Sequence, residues 1–409
     1  MKPFQEKVFR ILGRVQHYPW GGSSFLPALL NIPNPGQIPF AEYWLGAHGK
    51  ASSEIVSLNG NRVKLDDYIR QFPVETLGSE VAGRFGRLPY LLKLLDVKDM
   101  LSIQVHPSKE QAEKEFAAEN RQKIPLDAGH RNYKDDNHKP ELMLALSEFW
   151  LLHGFKPVEK LKAVLGRVAE LRMLLPLFEE GGYKKLYRAV MEMEQSRINE
   201  ILFPLLERII PAYRENRLEK KDENFWAARA ALTYRDEGKI DRGIFSVYFF
   251  NLVNLHPLEA VFQDAGLPHA YLEGQNVEIM ANSDNVLRGG LTSKHVAVGE
   301  LIKHIKFGET IPDILQGTLR RDHTLAYLTP VSDFELAKME LPKDQTVPIL
   351  ADSTEISILT EGSLLITENG KEGFQIEKGG GFIAFHGASY TLQALQDTTL
   401  YIAGVPLPF

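Results

Sequence analysis

The sequence contains no cysteine among its 409 residues. This absence excludes disulfide bonds, thiolate zinc sites, cysteine-held iron–sulfur clusters and cysteine nucleophiles. Any bound metal must therefore be held by imidazole nitrogen or by carboxylate and amide oxygen. The sequence also lacks any apolar run near the about 20 residues that a membrane-spanning helix needs. Because the charged stretch 1–10 has no apolar core of a signal peptide, we expect a cytoplasmic protein without a membrane partner.

An excess of basic residues is absent too, since the formal net charge is −6 at pH 7. Nucleic-acid-binding proteins need a basic surface to displace counterions, so we expect no nucleic-acid partner. Hydrophobic residues make up 44% and charged residues 24% of the chain, which is typical of a soluble globular protein. A chain of this length exceeds one ordinary core, so we expect two or three domains. We also expect a monomer.

The spacing of apolar residues divides the chain into three kinds of segment. Short apolar stretches between turn residues fill the first part and return later, which is typical of β-strands. Between them, apolar residues recur at spacings of three and four, as on one face of a helix. We predict a mainly β protein with an inserted α-helical domain. Residues 1–155 with 242–320 form the first β-domain, 156–241 the helical insertion, and 321–409 a C-terminal β-domain.

Local patterns predict individual elements within these segments. A capping-box pattern that begins at Ser108 predicts a short helix. Pro204 and Pro211 should end or kink a helix in the helical segment. The aromatic and β-branched stretch at residues 245–255 predicts a strand, and so does the apolar stretch at residues 141–152.

Polar and apolar residues alternate along residues 101–106, as on a half-buried strand. Because a strand has period 2, the side chains of Ser102, Gln104 and His106 share one face. An amide oxygen and an imidazole therefore converge on one side. The alternative interpretation is a solvated polar face without function.

A second polar cluster lies at residues 137–141, where Lys139 and Glu141 share a strand face and His138 points to the other side. With a third polar segment near position 269, the chain offers two nitrogen and two oxygen ligands, a set that suits zinc or another borderline divalent ion. This ligand set comprises Gln104, His106, Glu141 and His269. Spacing alone does not bring these residues together, and a lone histidine on a strand is more often structural or at the surface.

The stretch at residues 278–295 is dense in polar and turn-forming residues. One interpretation is a strand, an Asn/Asp turn and a second strand. The other is a loop that presents Arg288 and Lys294 to an anion, because arginine offers a planar donor fork and lysine a point charge. The residues themselves favour neither interpretation.

These segments read VQHYPWGGS, EYWLGAHGKASSEI, LSIQVHPS, DDNHKPELMLAL and GLPHAYLEGQNVEIMANSDNVLRGGLTSKHV. In these stretches the chain closely resembles the type I mannose-6-phosphate isomerases (phosphomannose isomerases). The resemblance implies two cupin-like (jelly-roll) β-barrels, of which the first is catalytic and holds one Zn²⁺ per chain. It also implies a metal-dependent aldose–ketose isomerase that interconverts mannose 6-phosphate and fructose 6-phosphate, so the expected partner is a small phosphorylated sugar.

The resemblance implies roles for single residues as well. The metal ligands fall on the ligand set given above, and Arg288 falls on the essential active-site arginine of the family. The remaining residues in motifs associated with substrate binding or proton transfer are Ser102, Lys139, Glu278 and Lys294.

For the chemistry, we expect Glu278 to act as the base, with His138 and Lys139 as rivals. A carboxylate base needs a pKa raised by burial, whereas a lysine base needs a lowered pKa. We expect the substrate phosphate to meet Lys294 and Ser102. Arg288, Lys139 and the metal should stabilise charge on the substrate oxygens.

Two other functions fit parts of the pattern. A cupin metal dioxygenase would use more histidines on a tighter motif, so the glutamine ligand and the cationic pair Arg288 and Lys294 count against it. A sugar-binding cupin without catalysis is opposed by the retained acid–base residues. His386 lacks partner ligands in its segment, so we expect a structural or surface histidine and no second metal site.

Overall fold

The structure, a computed structural model, describes residues 3–234, 236, 238–320 and 324–406. The strands are β1 (Val8–Leu12), β2 (Arg14–Gln16), β3 (Glu42–Gly46), β4 (Glu54–Val56), β5 (Arg62–Lys64), β6 (Tyr90–Val97), β7 (Gln104–Val105), β8 (Glu141–Ala145), β9 (Phe149–Phe155), β10 (Phe250–Leu255), β11 (Ala260–Gln263), β12 (His269–Ala281), β13 (Leu287–Arg288), β14 (Thr318–Leu319), β15 (Thr324–Tyr327), β16 (Glu335–Leu341), β17 (Thr346–Leu350), β18 (Glu355–Glu361), β19 (Ser363–Glu368), β20 (Phe374–Glu377), β21 (Gly381–Ala384), β22 (Ser389–Ala394) and β23 (Thr398–Gly404). The helices are α1 (Phe25–Leu29), α2 (Leu65–Gln71), α3 (Pro73–Phe85), α4 (Lys109–Arg121), α5 (Val158–Arg167), α6 (Leu175–Met191), α7 (Gln195–Arg214), α8 (Glu223–Thr233), α9 (Gly243–Phe249) and α10 (Val298–His304), with a 3-10 helix at Ala169–Leu174. None of the helices in these described ranges has the length and apolar character to cross a membrane. The prediction of a mainly β protein is confirmed.

The 13-residue strand β12 organises a ten-stranded sheet, because it pairs with β6, β7, β8 and β9. Its pairing shifts beside Gly274, which has φ of 132°. A Cβ added there would lie 2.6 Å from the carbonyl oxygen of Glu148, so this close passage requires glycine. His269 at the start of β12 and Glu278 near its end therefore lie on one strand.

Alternation gives this sheet two chemically different faces. One face packs into an apolar core beneath the sheet, through Leu92, Leu94, Leu142, Leu144, Val277 and Ile279. The side chains between them, Lys93, Glu141 and Glu278, point the other way and line a cavity. The period of two therefore places three charged groups from three adjacent strands on the same side.

Helices α5 to α9 share one apolar core with the strands beside them, including Trp150 and Phe155 of β9. The stretch 245–255 was predicted as a strand, but its first part is helix α9 and only residues 250–255 form a strand. Every residue of α9 is buried. Apolar periodicity cannot separate a fully buried helix from a buried strand, which explains the error.

Pro204 and Pro211 both lie inside α7. Of the two predicted outcomes, an end or a kink of the helix, the end is therefore wrong. The carbonyls that lose their helical donor belong to Glu200 and Glu207. Both residues are exposed, so water can take the place of the missing N–H.

The capping box at Ser108 is confirmed, because its backbone and side chain exchange hydrogen bonds with Gln111. Two predicted strands are too long. Within residues 101–106 only β7 is regular, and residues 141–152 divide into β8 and the start of β9. The N–H of Ile103 donates to Gly290 instead of continuing a ladder, which interrupts the first of these strands.

A nine-stranded sheet joins the two ends of the chain in the order β14-β15-β16-β23-β18-β21-β1-β4-β5. A four-stranded sheet, β17-β22-β19-β20, packs over one of its faces across a shared apolar core. The predicted division assigned residues 1–155 to the first β-domain. The strands β1, β4 and β5 are nevertheless hydrogen-bonded in the sheet of the C-terminal segment.

Glu355→Gln is expected to raise the free energy of unfolding at pH 8 by about 1–3 kcal/mol. Burial raises the pKa of Glu355 to about 8 from 4.5, helped by the charges of Asp352 and Glu335 and opposed by a hydrogen bond from Tyr390. A carboxyl with a raised folded-state pKa contributes its stability below pH 4.5 and loses it as the pH rises towards 8. Glutamine removes this loss.

Urea unfolding of both proteins between pH 4 and 9 measures the effect. The exposed Glu377, changed to glutamine, is the matched control and should leave the pH dependence as it is. Equal gains from Glu355→Gln at pH 4 and pH 8 would show that the charge of Glu355 is not the cause.

Candidate active site

A cavity of about 1090 Å³ lies on the charged face of the ten-stranded sheet. Eight of the ten predicted site residues line it, namely Ser102, Gln104, Lys139, Glu141, His269, Glu278, Arg288 and Lys294. His106 is fully buried and contacts Glu141 at this wall. The structure thus brings together segments that are more than 150 residues apart in the sequence.

Three of the predicted metal ligands form a compact buried group. The ligand atoms of His106, Glu141 and His269 all lie within 4.8 Å of one another. His106 Nε2 is 3.4 Å from Glu141 Oε1, and His269 Nε2 is 3.2 Å from Glu141 Oε2. One carboxylate therefore faces two imidazoles, as in a divalent metal site.

Hydrogen bonds fix the orientation of both imidazoles. His106 Nδ1 is 2.7 Å from the carbonyl oxygen of Asn285, and His269 Nδ1 is 2.9 Å from that of Leu267. Since a carbonyl can only accept, each Nδ1 carries a proton, which leaves Nε2 as the lone-pair atom of the neutral ring. Burial lowers the pKa of His106 to about 4, which keeps this imidazole neutral at pH 7.

The two Nε2 atoms are buried and have no hydrogen-bond partner among the described residues. An unpartnered buried nitrogen is costly unless it binds something. Neutral imidazole and carboxylate are ligands that zinc prefers. The donor set therefore fits a divalent metal.

The predicted fourth ligand lies beside this group. Gln104 of β7 stands opposite His269 of β12 in the sheet register, and on its other side it stands opposite Arg288 of β13. Its side chain lines the cavity. β7 therefore places an amide oxygen between the metal group and the arginine.

A second buried charged cluster lies next to the metal group. Glu278 Oε1 is 3.0 Å from Lys93 Nζ, and its Oε2 accepts a 2.8 Å hydrogen bond from the Tyr271 hydroxyl. Lys93 Nζ is also 3.5 Å from Glu42 Oε2, which accepts a hydrogen bond from the indole of Trp44. The cluster holds one lysine between two carboxylates.

The pKa values of Lys93 and Glu278 in this cluster are both raised, for different reasons. Burial would lower the pKa of Lys93, but the carboxylates of Glu278 and Glu42 outweigh it and raise the pKa above its usual range. Burial raises the pKa of Glu278 despite the opposing charge of Lys93. A buried carboxyl with a raised pKa suits proton transfer near neutral pH.

Lys139 connects this cluster with the metal group. Its Nζ is 2.8 Å from Glu141 Oε1. Burial alone would raise the pKa of Glu141, but Lys139 and His106 hold it well below its usual range, so the carboxylate stays charged. A charged carboxylate is the form that binds a metal.

Two cations of the cavity wall, Arg288 and Lys294, are not paired with a carboxylate in the described part of the chain. Within the described ranges, Arg288 and Lys294 form no ion pair, and both line the cavity. Burial lowers the pKa of Arg288, and burial together with the charge of Arg288 lowers that of Lys294. Two nearby unpaired cations favour an anionic ligand.

The structure does not bring His138 to the cavity. Its Nε2 is 2.9 Å from Asp333 Oδ1 in the C-terminal segment. Lys139, the next residue, turns to the metal group instead, as alternation requires. His386, in the same C-terminal segment, has its Nδ1 2.6 Å from the carbonyl oxygen of Asp352.

Known proteins match over nearly the whole chain. The family model of the type I phosphomannose isomerase catalytic domain matches residues 8–158. The mannose-6-phosphate isomerase of Escherichia coli is 35% identical over 393 residues, which cover 94% of this chain and 96% of that protein. The chain belongs to the type I phosphomannose isomerase family. The mannose-6-phosphate isomerase of Salmonella typhimurium is 37% identical over 88% of this chain and 90% of that protein.

The fold agrees with solved structures of this family. A crystal structure of the Salmonella typhimurium mannose-6-phosphate isomerase, bound to its substrate and a zinc atom, superposes with a TM-score of 0.86. It is 33% identical, and the match covers 98% of this chain and 100% of that chain. The recognition of the family from the sequence is confirmed.

Sequence reasoning missed the residues that surround Glu278. Lys93 interrupts the apolar run 90–95 in β6, and a charge within a buried apolar run is a signal for function. Glu42 and Trp44 lie in one of the family motifs, but no local pattern gives them a role. Tyr271 follows His269 by two residues, so it shares the cavity face of β12.

Proposed function

We propose that this protein is a zinc-dependent aldose–ketose isomerase that interconverts mannose 6-phosphate and fructose 6-phosphate. The observation that carries the proposal is the pair of buried Nε2 atoms of His106 and His269, which flank Glu141 beside a cavity with unpaired cations. The relatives named above support the substrate assignment, because two of them are mannose-6-phosphate isomerases.

The finer description of the fold belongs to the same proposal. We propose two cupin-type barrels, a catalytic one and a C-terminal one, with the helical segment 156–241 as an insertion in the first. The predicted boundaries are retained, except that β1, β4 and β5 pair with the C-terminal sheet. The monomeric state and the cytoplasmic location stay predictions from the sequence.

The proposed metal ligands are Gln104, His106, Glu141 and His269. A divalent metal bound there supplies Lewis-acid stabilisation of negative charge on a substrate oxygen. Lys139 neutralises part of the charge on Glu141 and reaches the cavity. Arg288, which lies opposite Gln104 in the register, is placed to stabilise charge on the substrate oxygens.

Glu278 is the proposed base. The reaction moves a proton between C2 and C1 of the open-chain sugar through a cis-enediol, so one carboxylate can take the proton from one carbon and return it to the other. The hydrogen bond from Tyr271 and the ion pair with Lys93 orient this carboxylate. His138 is a poor rival because its ring pairs with Asp333.

The phosphate of the substrate is proposed to lie at Lys294 and Ser102, which line the same cavity as Glu278. Lysine provides a point charge and serine a hydroxyl donor for a phosphate oxygen. A dioxygenase is not favoured, since that chemistry gives no reason for these cations. A non-catalytic sugar-binding cupin would have no use for the buried Lys93 and Glu278 pair.

Conversion of mannose 6-phosphate to fructose 6-phosphate, measured with and without chelator, tests the function. We expect turnover that falls by more than about 100-fold when the metal is removed and returns on addition of Zn²⁺. Turnover that survives complete removal of the metal would exclude the metal-dependent mechanism. Binding of the sugar phosphate without turnover, in the presence of Zn²⁺, would indicate the non-catalytic alternative.

Gln104→Leu is expected to weaken zinc retention about 10- to 100-fold, because leucine fills the same space without an oxygen ligand. Elemental analysis after dialysis against graded chelator measures the retention. Gln275→Leu is a matched control, since that amide also lies on the ten-stranded sheet but bonds to Asp96 Oδ1 at 2.7 Å. Equal zinc retention in both variants and the wild type would remove Gln104 from the ligand set.

A further inference from the structure

A single carboxylate at the end of the helical segment holds the backbone that carries the two cavity cations. Asp241, between α8 and α9, accepts hydrogen bonds from three backbone N–H groups. Its Oδ1 lies 2.6 Å from the Gly243 nitrogen and 2.8 Å from the Leu291 nitrogen, and its Oδ2 lies 3.1 Å from the Thr292 nitrogen. Both oxygens are therefore engaged by the protein backbone.

The backbone that Asp241 binds, at residues 290–292, turns sharply between Arg288 and Lys294. Gly290 has φ of 114° and Leu291 has φ of 53°, a conformation that residues other than glycine rarely adopt. A Cβ added at Gly290 would lie 2.5 Å from the Cα of Gly243, so the two backbones are in direct contact. Such a turn persists only where the surroundings enforce it.

The other side of the turn is fixed by β7 and the residues before it. The Gly289 nitrogen donates to the Ile103 carbonyl at 2.9 Å, and the Ile103 nitrogen donates to the Gly290 carbonyl at 3.1 Å. Arg288 itself pairs with Gln104 in the sheet. Residues 289–292 thus lie between β7, which carries Gln104, and the carboxylate of Asp241.

We propose that Asp241 is a positioning residue for the isomerisation: its carboxylate fixes the turn at residues 290–292 and thereby sets Arg288 and Lys294 in the cavity. Because neither Arg288 nor Lys294 has an ion pair in the described ranges, their positions depend on the backbone that carries them. Charge-assisted hydrogen bonds to N–H groups are strong enough to hold a strained turn. This inference rests on the proposed function for its kinetic consequence, but not for its structural one.

The inference also gives the helical segment a role. Two of its residues donate hydrogen bonds to the backbone that precedes Ser102. The Tyr234 hydroxyl donates to the Met100 carbonyl, and Arg229 donates to the Lys98 carbonyl. With Asp241, the segment therefore contacts the backbone that precedes Ser102 and the backbone that follows Arg288. Its packing can align the cavity walls without supplying the reacting groups.

Hydrogen–deuterium exchange of the zinc-loaded protein tests the structural part. In Asp241→Ala, the amides of Leu291 and Thr292 should exchange at least about tenfold faster, because their acceptor is gone. Asp241→Asn keeps one oxygen acceptor and should lie between the alanine variant and the wild type. Unchanged exchange at both amides in a folded variant would overturn the proposal.

Kinetics on mannose 6-phosphate test the functional part. Asp241→Ala should raise KM and lower kcat, so that kcat/KM falls about 10- to 100-fold with unchanged zinc content, since small misplacements of charged groups have effects of that size. Asp222→Ala is the matched control: this aspartate of the same helical segment also accepts a backbone N–H, from Asn224 at 2.8 Å. It should lower thermal stability without changing kcat or KM.

The outcomes separate the two proposals. If the wild type turns over no sugar phosphate, the proposed function fails while the exchange experiment still decides on Asp241. If the wild type is active and Asp241→Ala keeps kcat/KM within twofold, the positioning role is wrong. Should the alanine variant not fold, Asp241→Asn gives the same decision from its exchange and kinetics.

Discussion

Arg288→Ala is expected to lower kcat about 100- to 1000-fold while the protein retains its zinc. Arg288 lines the cavity from β13, opposite Gln104, and forms no ion pair in the described part of the chain. Burial lowers the pKa of its guanidinium, yet the starting value is so high that the group stays charged at neutral pH. A fixed cation in a partly buried wall stabilises developing negative charge more than it stabilises the neutral ground state.

Steady-state kinetics and elemental analysis check this prediction together. Arg288→Lys keeps the charge but loses the planar donor fork, so it should recover only part of the activity. Arg62→Ala, at the exposed edge strand β5, is the control for removal of an arginine far from the cavity. Wild-type kcat in Arg288→Ala would remove this residue from the mechanism.

Much of the site could be predicted because β-strands alternate strictly. Gln104, Lys139 and Glu141 were placed on strand faces from period 2, and all three line the cavity. The same rule separated Lys139 from His138, which the structure sends to opposite sides. The alternation of side chains along a strand was therefore enough to predict the face on which each group lies.

Alternation along a strand does not predict which strands pair with one another. The register that sets Gln104 opposite His269 joins residues 165 positions apart and has no signature in either segment. The family resemblance supplied that link. Asp241 shows the same limit, since its three N–H partners belong to two separate backbone turns. A carboxylate that binds backbone looks like any other aspartate in the sequence.

The error at residues 245–249 comes from burial on all sides. Helix α9 consists of residues that are all buried, so its sequence lacks the polar face that marks a helix. Helix α7 has the opposite character. Its amphipathic pattern is strong enough to carry Pro204 and Pro211 on the exposed side.

Glu278→Gln is expected to lower kcat about 100- to 10,000-fold, because glutamine keeps the shape and one of the two acceptor oxygens but cannot accept the proton. In this cluster Glu278 Oε1 lies 3.0 Å from Lys93 Nζ, whereas Glu42 Oε2 lies 3.5 Å from the same nitrogen. Glu42→Gln is therefore the matched control, and it should reduce kcat much less. A larger loss in Glu42→Gln than in Glu278→Gln would move the base to Glu42.

The pH profile gives a second, independent reading of the same base. Glu278 must be ionised to take a proton, and burial raises its pKa, so activity should fall on the acid side at a higher pH than an ordinary glutamate would give. The charge of Lys93 lowers that pKa, so Lys93→Met should move the acid limb of kcat/KM to still higher pH. His138→Ala should leave the limb in place, because its ring pairs with Asp333 away from the cavity. If His138→Ala moved the acid limb and Lys93→Met did not, His138 and not Glu278 would be the group that titrates.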